Sequence, residues 1–193
     1  MKIVIIKYNA GNTRSVALAL ERLGVEAQIT NDKAEILQAD KVIFPGVGQA
    51  QAAMNSLKES GLDELIPQLK QPVLGICLGM QLLCRFSEEG NTTSLNIIPE
   101  TVTRFVGEDK IPHTGWNTIT NLQSPLFQDV EDNSYTYFVH GYYVPLCAFT
   151  IASCEYILPF SAAVQYQNFY GVQFHPEKSG ESGSLIIKNF LAL

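Results

Sequence analysis

The stretch VLGICLGMQLL, residues 73–83, decides how this chain is read. It begins as an apolar run of the kind that forms a strand buried on both faces. The run then meets Cys77, held between Gly75 and Gly79. Gly-x-Cys-x-Gly has the spacing of a nucleophile elbow, where a strand turns sharply into a helix and lifts a reactive side chain above the sheet edge. The opposing reading is a structural cysteine, because free cysteines are among the most buried residue types. The flanking sequence has to separate the two.

Upstream, strands and helices alternate. KIVII (2–6) reads as a strand, and NTRSVALALERLG (12–24) as a helix with apolar positions at 16, 20 and 23 that stops at Gly24. VEAQI (25–29) is a second strand, KAEILQA (33–39) a short helix, and KVIF (41–44) a third strand ending at PGVG. Helical stretches follow at 49–59 and 62–69, then PVLGI (72–76) runs into Cys77 and LGMQLLCRF (78–86) reads as a helix behind it. Such alternation implies parallel pairing with right-handed crossovers.

Downstream of residue 90 the texture changes to threonine, aromatic and β-branched residues: TVTRF, NTIT, SYTYFVHGYYV, FTIASC, AAVQY, FYGVQF. These predict strands, many antiparallel and joined by short turns, before a closing helix over SGSLIIKNFLAL (182–193). The expectation is one α/β domain over 1–193: a central, mostly parallel sheet flanked by helices, flavodoxin-like, with added antiparallel strands in the second half.

Composition bounds the function. Hydrophobic residues at 46% and charged residues at 17% are an ordinary globular balance. A formal net charge of −6, with no basic run, argues against a nucleic-acid-binding face. The short apolar stretch after Lys2 predicts no signal peptide, and no run reaches the roughly 20 apolar residues that span a bilayer. The expected location is the cytoplasm, with no membrane partner. Cysteines at 77, 84, 147 and 154 do not suggest a disulfide framework, and neither they nor the scattered histidines at 113, 140 and 175 suggest a metal cluster. No cofactor is expected.

Chemistry gathers at predicted strand ends, where open α/β sheets bind ligands. At Cys77 the following helix N-terminus favours a thiolate, and the Leu78 N–H faces the same space as an oxyanion donor. In FHPEKSG, His175 ends a strand and Glu177 follows across Pro176, which limits their relative motion. A cysteine nucleophile needs a base, and the base needs a group that orients its imidazole. FPGVGQA lacks the third glycine or alanine of a dinucleotide loop, since residue 51 is glutamine. It reads better as a turn bringing backbone N–H groups to a substrate, with Val47 and Gly48 as donors. His140, in FVHGYYV, ranks second to His175, as a structural or substrate-shaping residue.

Together, GICLGMQ (75–81) and FHPEKS (174–179) resemble the class I, or triad, glutamine amidotransferases. PGVGQAQAAM (45–54), PHTGWN (112–117) and YFVHGYY (137–143) narrow the likeness to glutaminase subunits of imidazole glycerol phosphate synthase. The resemblance runs from the first strand to the last helix. Two positions depart from it: the family commonly has serine at Gly141 and methionine at Thr114.

The resemblance implies a triad of Cys77, His175 and Glu177, and an oxyanion hole from Val47 and Leu78. It implies glutamine binding by Gly48, Gln81, Glu89, His140, Gly141 and Tyr142. It further implies docking through Asn12, Trp116, Asn117, Tyr137 and Lys178 on a (β/α)8-barrel cyclase as a heterodimer, with L-glutamine as substrate. Trp116, read in a polar turn, suits an interface aromatic. Gln81 as a helix-surface residue and Glu89 as a solvated loop charge remain the opposing readings. The alternatives are a triad glutaminase of another synthase, such as that for pyridoxal phosphate, a non-catalytic docking subunit, or a cysteine hydrolase on a related fold.

Overall fold

Both faces of the first strand are buried, and its residues alternate between two cores. Ile3 and Ile5 enter one apolar cluster, Val4 and Ile6 the other. A strand covered on both sides has no polar face to show, hence its unbroken apolar run. The computed structural model describes residues 1–9 and 11–193.

Strands β1 (Ile3–Ile6), β2 (Gln28–Thr30), β3 (Lys41–Gly46) and β4 (Val73–Cys77) alternate with helices α1 (Thr13–Arg22), α2 (Lys33–Leu37), α3 (Ala50–Ser60) and α4 (Leu62–Leu65). Next come α5 (Leu78–Leu83), β5 (Cys84–Ser87), β6 (Thr92–Thr93), β7 (Ile98–Arg104), β8 (His113–Ile119), β9 (Ser134–His140) and β10 (Tyr142–Tyr143). The chain ends with β11 (Thr150–Tyr156), β12 (Leu158–Tyr166), β13 (Phe169–Val172) and α6 (Gly180–Ala192).

Seven strands form the central sheet in the order β11-β12-β13-β4-β3-β1-β2. From β13 to β2 all pairings are parallel, and β12 and β11 add antiparallel strands at one edge. This is the expected fold class. A smaller sheet, β10-β7-β5-β6, and the two-stranded ribbon β8-β9 complete the β-rich half. The decisive pairing is β13 beside β4, with Val172 opposite Ile76. It sets the carboxyl ends of the two strands side by side. No helix among the described residues is long and apolar enough to cross a membrane.

Local expectations fail in three places. The helix read over 78–86 ends at Leu83, and Cys84–Ser87 form β5 between β6 and β7. The run LLCRF fits either period, and distant backbone partners select the strand. The second strand begins at Gln28 rather than Val25, because Gly24 N–H and Val25 N–H donate to the Glu21 and Leu20 carbonyls and close the end of α1. Gly24 makes that closure with φ +75°, a left-handed value glycine accepts freely. Finally, Trp116 lies within strand β8, not in a turn.

Candidate active site

Cys77 is the last residue of β4 and the N-cap of α5, with φ 53° and ψ −111°. A non-glycine residue in such a conformation carries about 1–3 kcal/mol of strain and persists only where its surroundings impose it. The two glycines supply that imposition. A Cβ at 75 would lie 2.8 Å from the Met80 nitrogen, and one at 79 would collide with the Phe44 carbonyl oxygen. Helix and sheet thus meet at backbone distance, and the chain reverses at Cys77. Leu78 opens the helix, so its N–H has no partner within α5. The elbow read from the sequence is present.

His175 lies just past β13, across from Cys77. Its backbone is pinned twice: its N–H donates to the Tyr137 carbonyl at 2.8 Å, and its own carbonyl accepts from Ser179 Oγ at 2.6 Å. Pro176 starts a single 3₁₀ turn that returns Glu177 to the imidazole. His175 Nδ1 and Glu177 Oε1 are 2.8 Å apart, both side chains being about 95% or more buried. With Nδ1 engaged, the other ring nitrogen is the one left for Cys77, which lines the same cavity as His175. Burial works to lower the His175 pKa, but hydrogen bonds to Cys77 and Glu177 and the charges on both outweigh it and push it up to about 10. The imidazole is therefore held as imidazolium near neutral pH.

A cavity of about 320 Å³ opens at this point. Its lining includes Cys77, His175, Val47, Gly48 and Leu78, and also Gln81, Glu89, His140, Gly141 and Tyr142. Every residue expected to touch glutamine is thus at one cavity, while Glu177 stands behind His175. Gln81 is not a surface residue but is buried, donating from Nε2 to the Tyr142 carbonyl at 3.0 Å. Both its N–H groups are held, since Nε2 also donates to Gln173 Oε1 at 3.0 Å. Its remaining oxygen is an acceptor suited to an ammonium group. Glu89 is half-buried, and one of its oxygens accepts from Ala50 N–H at 2.8 Å, capping α3. Burial raises its pKa, with the Ala50 hydrogen bond opposing.

His140 is buried differently. Its Nδ1–H donates to the Tyr142 carbonyl at 2.8 Å, and its Nε2 faces His113 Nδ1 at 3.1 Å. The Tyr142 carbonyl can only accept, which fixes both tautomers: His113 donates from Nδ1 and accepts at Nε2 from Asn117 Nδ2 at 3.3 Å. Burial lowers His140 to about 3, and the neighbouring His113 and His175 add to the fall against the Tyr142 hydrogen bond. His113 is lowered by burial to about 4. Both rings are neutral.

The expected docking residues do not all converge. Trp116 and Tyr137 are cross-strand partners on the β8-β9 ribbon, their rings 5.8 Å apart, and Lys178 Nζ lies 5.9 Å from the Tyr137 ring. Trp116 is 55% exposed, and Tyr135 and Val139, two residues either side of its partner Tyr137 on β9, are exposed as well. Asn117 belongs to the other face of the ribbon, where its amide donates to the Glu155 carbonyl at 3.0 Å as well as to His113. Asn12 precedes α1 as its N-cap and makes no side-chain capping bond. Lys178 lines the cavity too, as do Pro112 and Val139, which the sequence did not single out. Two buried neighbours were also not read: Gln173, and Tyr8, whose hydroxyl donates to the Pro45 carbonyl at 2.9 Å beneath the Val47 loop. Only the fold brings them there; QFHPE carries a glutamine with no chemical signal of its own.

Residues 4–193 match the family described as Glutamine amidotransferase class-I. The chain belongs to the class-I glutamine amidotransferases. Among curated relatives it is 61% identical to the imidazole glycerol phosphate synthase subunit HisH of Bacteroides fragilis and 49% identical to that of Escherichia coli K12, each covering 100% of both chains. Within its class it therefore groups with the HisH subunits. A solved glutamine amidotransferase structure, 18% identical, superposes with a TM-score of 0.78 over 100% of this chain and 98% of that one, a likeness of fold.

Proposed function

We propose that the chain hydrolyses glutamine to glutamate and ammonia and passes the ammonia to a synthase partner in histidine biosynthesis. The observation that carries this is the strained Cys77 set against a charged His175–Glu177 pair at one cavity. The Cys77 thiolate attacks the side-chain amide carbon, and the carbonyl electrons move onto oxygen, where the Leu78 and Val47 N–H groups stabilise them. Collapse breaks the C–N bond as imidazolium His175 gives its proton to the departing nitrogen, leaving a γ-glutamyl thioester and ammonia. The now neutral His175 takes a proton from water, whose oxygen attacks the thioester. Collapse expels the thiolate and releases glutamate. Glu177 holds the imidazole and balances its positive charge. Gln81 Oε1 and the free oxygen of Glu89 receive the substrate ammonium, while Gly48, His140, Gly141 and Tyr142 shape the rest of the pocket.

Ammonia released into water is protonated and lost as a nucleophile, so the product favours a docked acceptor. The relatives' name as subunits of imidazole glycerol phosphate synthase supports a synthase partner; the partner in this reading is a (β/α)8-barrel cyclase, joined as a heterodimer. It would make imidazole glycerol phosphate and an aminoimidazole carboxamide ribotide in the cytoplasm. Trp116, Tyr137 and Lys178 suit the docking face, with Asn12 at the same carboxyl-end side of the sheet. The opposite facing of Asn117 gives it a supporting place instead. The whole chain, 1–193, acts as one amidotransferase domain in this reading.

Mixing the chain with a candidate cyclase, glutamine and the acceptor ribonucleotide should release glutamate. A diazo-ketone analogue of glutamine should label Cys77. An adduct mapped to Cys84, Cys147 or Cys154, or no glutamate with any cyclase, overturns the proposal.

A further inference from the structure

Gln173 lies on the backbone between β13 and His175, with no exposed surface. A buried amide has to satisfy its donors and acceptor internally. Gln173 does so with two residues of the site. Its Nε2 donates to Cys77 Sγ at 3.8 Å, and its Oε1 accepts from Gln81 Nε2 at 3.0 Å. The orientation follows from the chain of partners. The Tyr142 carbonyl only accepts, so the Gln81 atom facing it is the NH2 group. That same group faces Gln173, so the Gln173 atom there is the oxygen. Its NH2 group is then the one that faces the sulfur.

This places a fixed donor on the reacting atom. Among the described residues the Cys77 sulfur donates to one acceptor, the Val139 carbonyl at 3.8 Å, a bond that only the thiol can make. The Gln173 N–H serves the thiolate, and a hydrogen bond to an ionised acceptor is stronger than its neutral counterpart. The other end of the same planar amide holds Gln81, which lines the cavity and is the acceptor for the substrate ammonium in the reading above. Sulfur and ammonium acceptor are thereby set at one separation by a rigid group.

We propose that Gln173 is a positioning residue for glutamine hydrolysis, aiming the Cys77 sulfur with its N–H and holding Gln81 with its carbonyl. The inference rests on the glutaminase reading given above. Its test separates the two ends. Iodoacetamide needs no amino-acid recognition, so its rate at Cys77, followed by mass mapping at neutral pH, reads the sulfur alone. Glutamine turnover with the cyclase bound reads kcat and KM. Gln173→Met keeps the length and removes both bonds. It should slow alkylation of Cys77 about tenfold or more, the range for losing a hydrogen bond to a charged group, and should lower kcat and raise KM. Gln81→Met leaves Gln173 on the sulfur. It should raise KM while alkylation stays within about threefold of wild type, less than such a bond is worth.

A folded Gln173→Met chain, with the wild-type melting transition, that is alkylated at the wild-type rate overturns the proposal. So does equal slowing in both variants, which would mean general loosening of the cavity. Should Gln173→Met melt early, Gln173→Asn keeps the amide but falls one methylene short of both partners, and the same alkylation defect is expected. A wild-type complex that releases no ammonia from glutamine would overturn the function instead, and the alkylation comparison would still judge Gln173.

Discussion

His175 and His140 line the same cavity and are both at least 95% buried, yet one is shifted towards the charged ring and the other towards the neutral one. Burial pushes both toward neutrality. At His175 the Cys77 and Glu177 side chains answer with charge, and the imidazolium wins. At His140 the partners are a carbonyl and a second neutral histidine, and the Tyr142 hydrogen bond favours the charged ring too little to offset burial. Burial alone therefore says little about a histidine's role; the charge of its partners decides. One ring can move a proton near neutral pH, and the other can only hold a shape.

The sharpest way to break that contrast is to remove each ring. His175→Ala should lower glutamine turnover at least about 10²-fold, the usual contribution of a positioned proton shuttle, and Cys77→Ala should abolish it. His140→Gln should act mainly on KM. Near-normal turnover in His175→Ala beside a crippled His140→Gln would reverse the assignment. Both are read from steady-state release of glutamate in the complex.

Removing only the charge behind the ring should cost less. Glu177→Gln keeps an acceptor for Nδ1 but cannot balance the imidazolium. Turnover should fall by a smaller factor than in His175→Ala. A loss equal to that of His175→Ala would mean that orientation and charge cannot be separated here.

The same contrast predicts a stability profile with two arms. His175, raised to about 10 in the folded chain against an ordinary histidine value of 6.5, binds more protons folded than unfolded between those values. Its contribution is full below about pH 6.5 and is lost as pH rises toward 10. His140 and His113, lowered to about 3 and 4, bind fewer protons folded than unfolded below 6.5, so they destabilise the chain as pH falls toward those values. Urea midpoints across pH should fall on both sides. Cys77→Ser should flatten the alkaline arm only, and a flattened acid arm in that variant would couple the two rings.

The smallest effect is expected at Gly141, between the His140 and Tyr142 contacts. A Cβ there would meet nothing closer than 3.7 Å, an ordinary contact with Ile111. Gly141→Ser, which restores the residue common in the family, should leave KM and melting temperature nearly unchanged. A large change in KM would show that the pocket depends on the missing side chain.

The sequence by itself determined the elements whose causes are local. Gly75 and Gly79 around Cys77 specify a tight strand-to-helix reversal, because no side chain fits where that helix meets the sheet. His175 and Glu177 stand two residues apart across a proline, so one short turn suffices to pair them. Apolar runs with no polar face announced strands covered on both sides. Only the tertiary structure decided what depends on distant partners. The pairing of β13 with β4 brings residue 175 to residue 77. The ladder through β5 ends α5 at Leu83 although the run LLCRF suits a longer helix. Glu89 becomes the cap of a helix it does not adjoin in sequence, and Gln173 reaches the sulfur across 96 positions of chain. Periodicity and turn chemistry act over a few residues, whereas a buried polar group takes whichever partner the packed fold sets within hydrogen-bond reach.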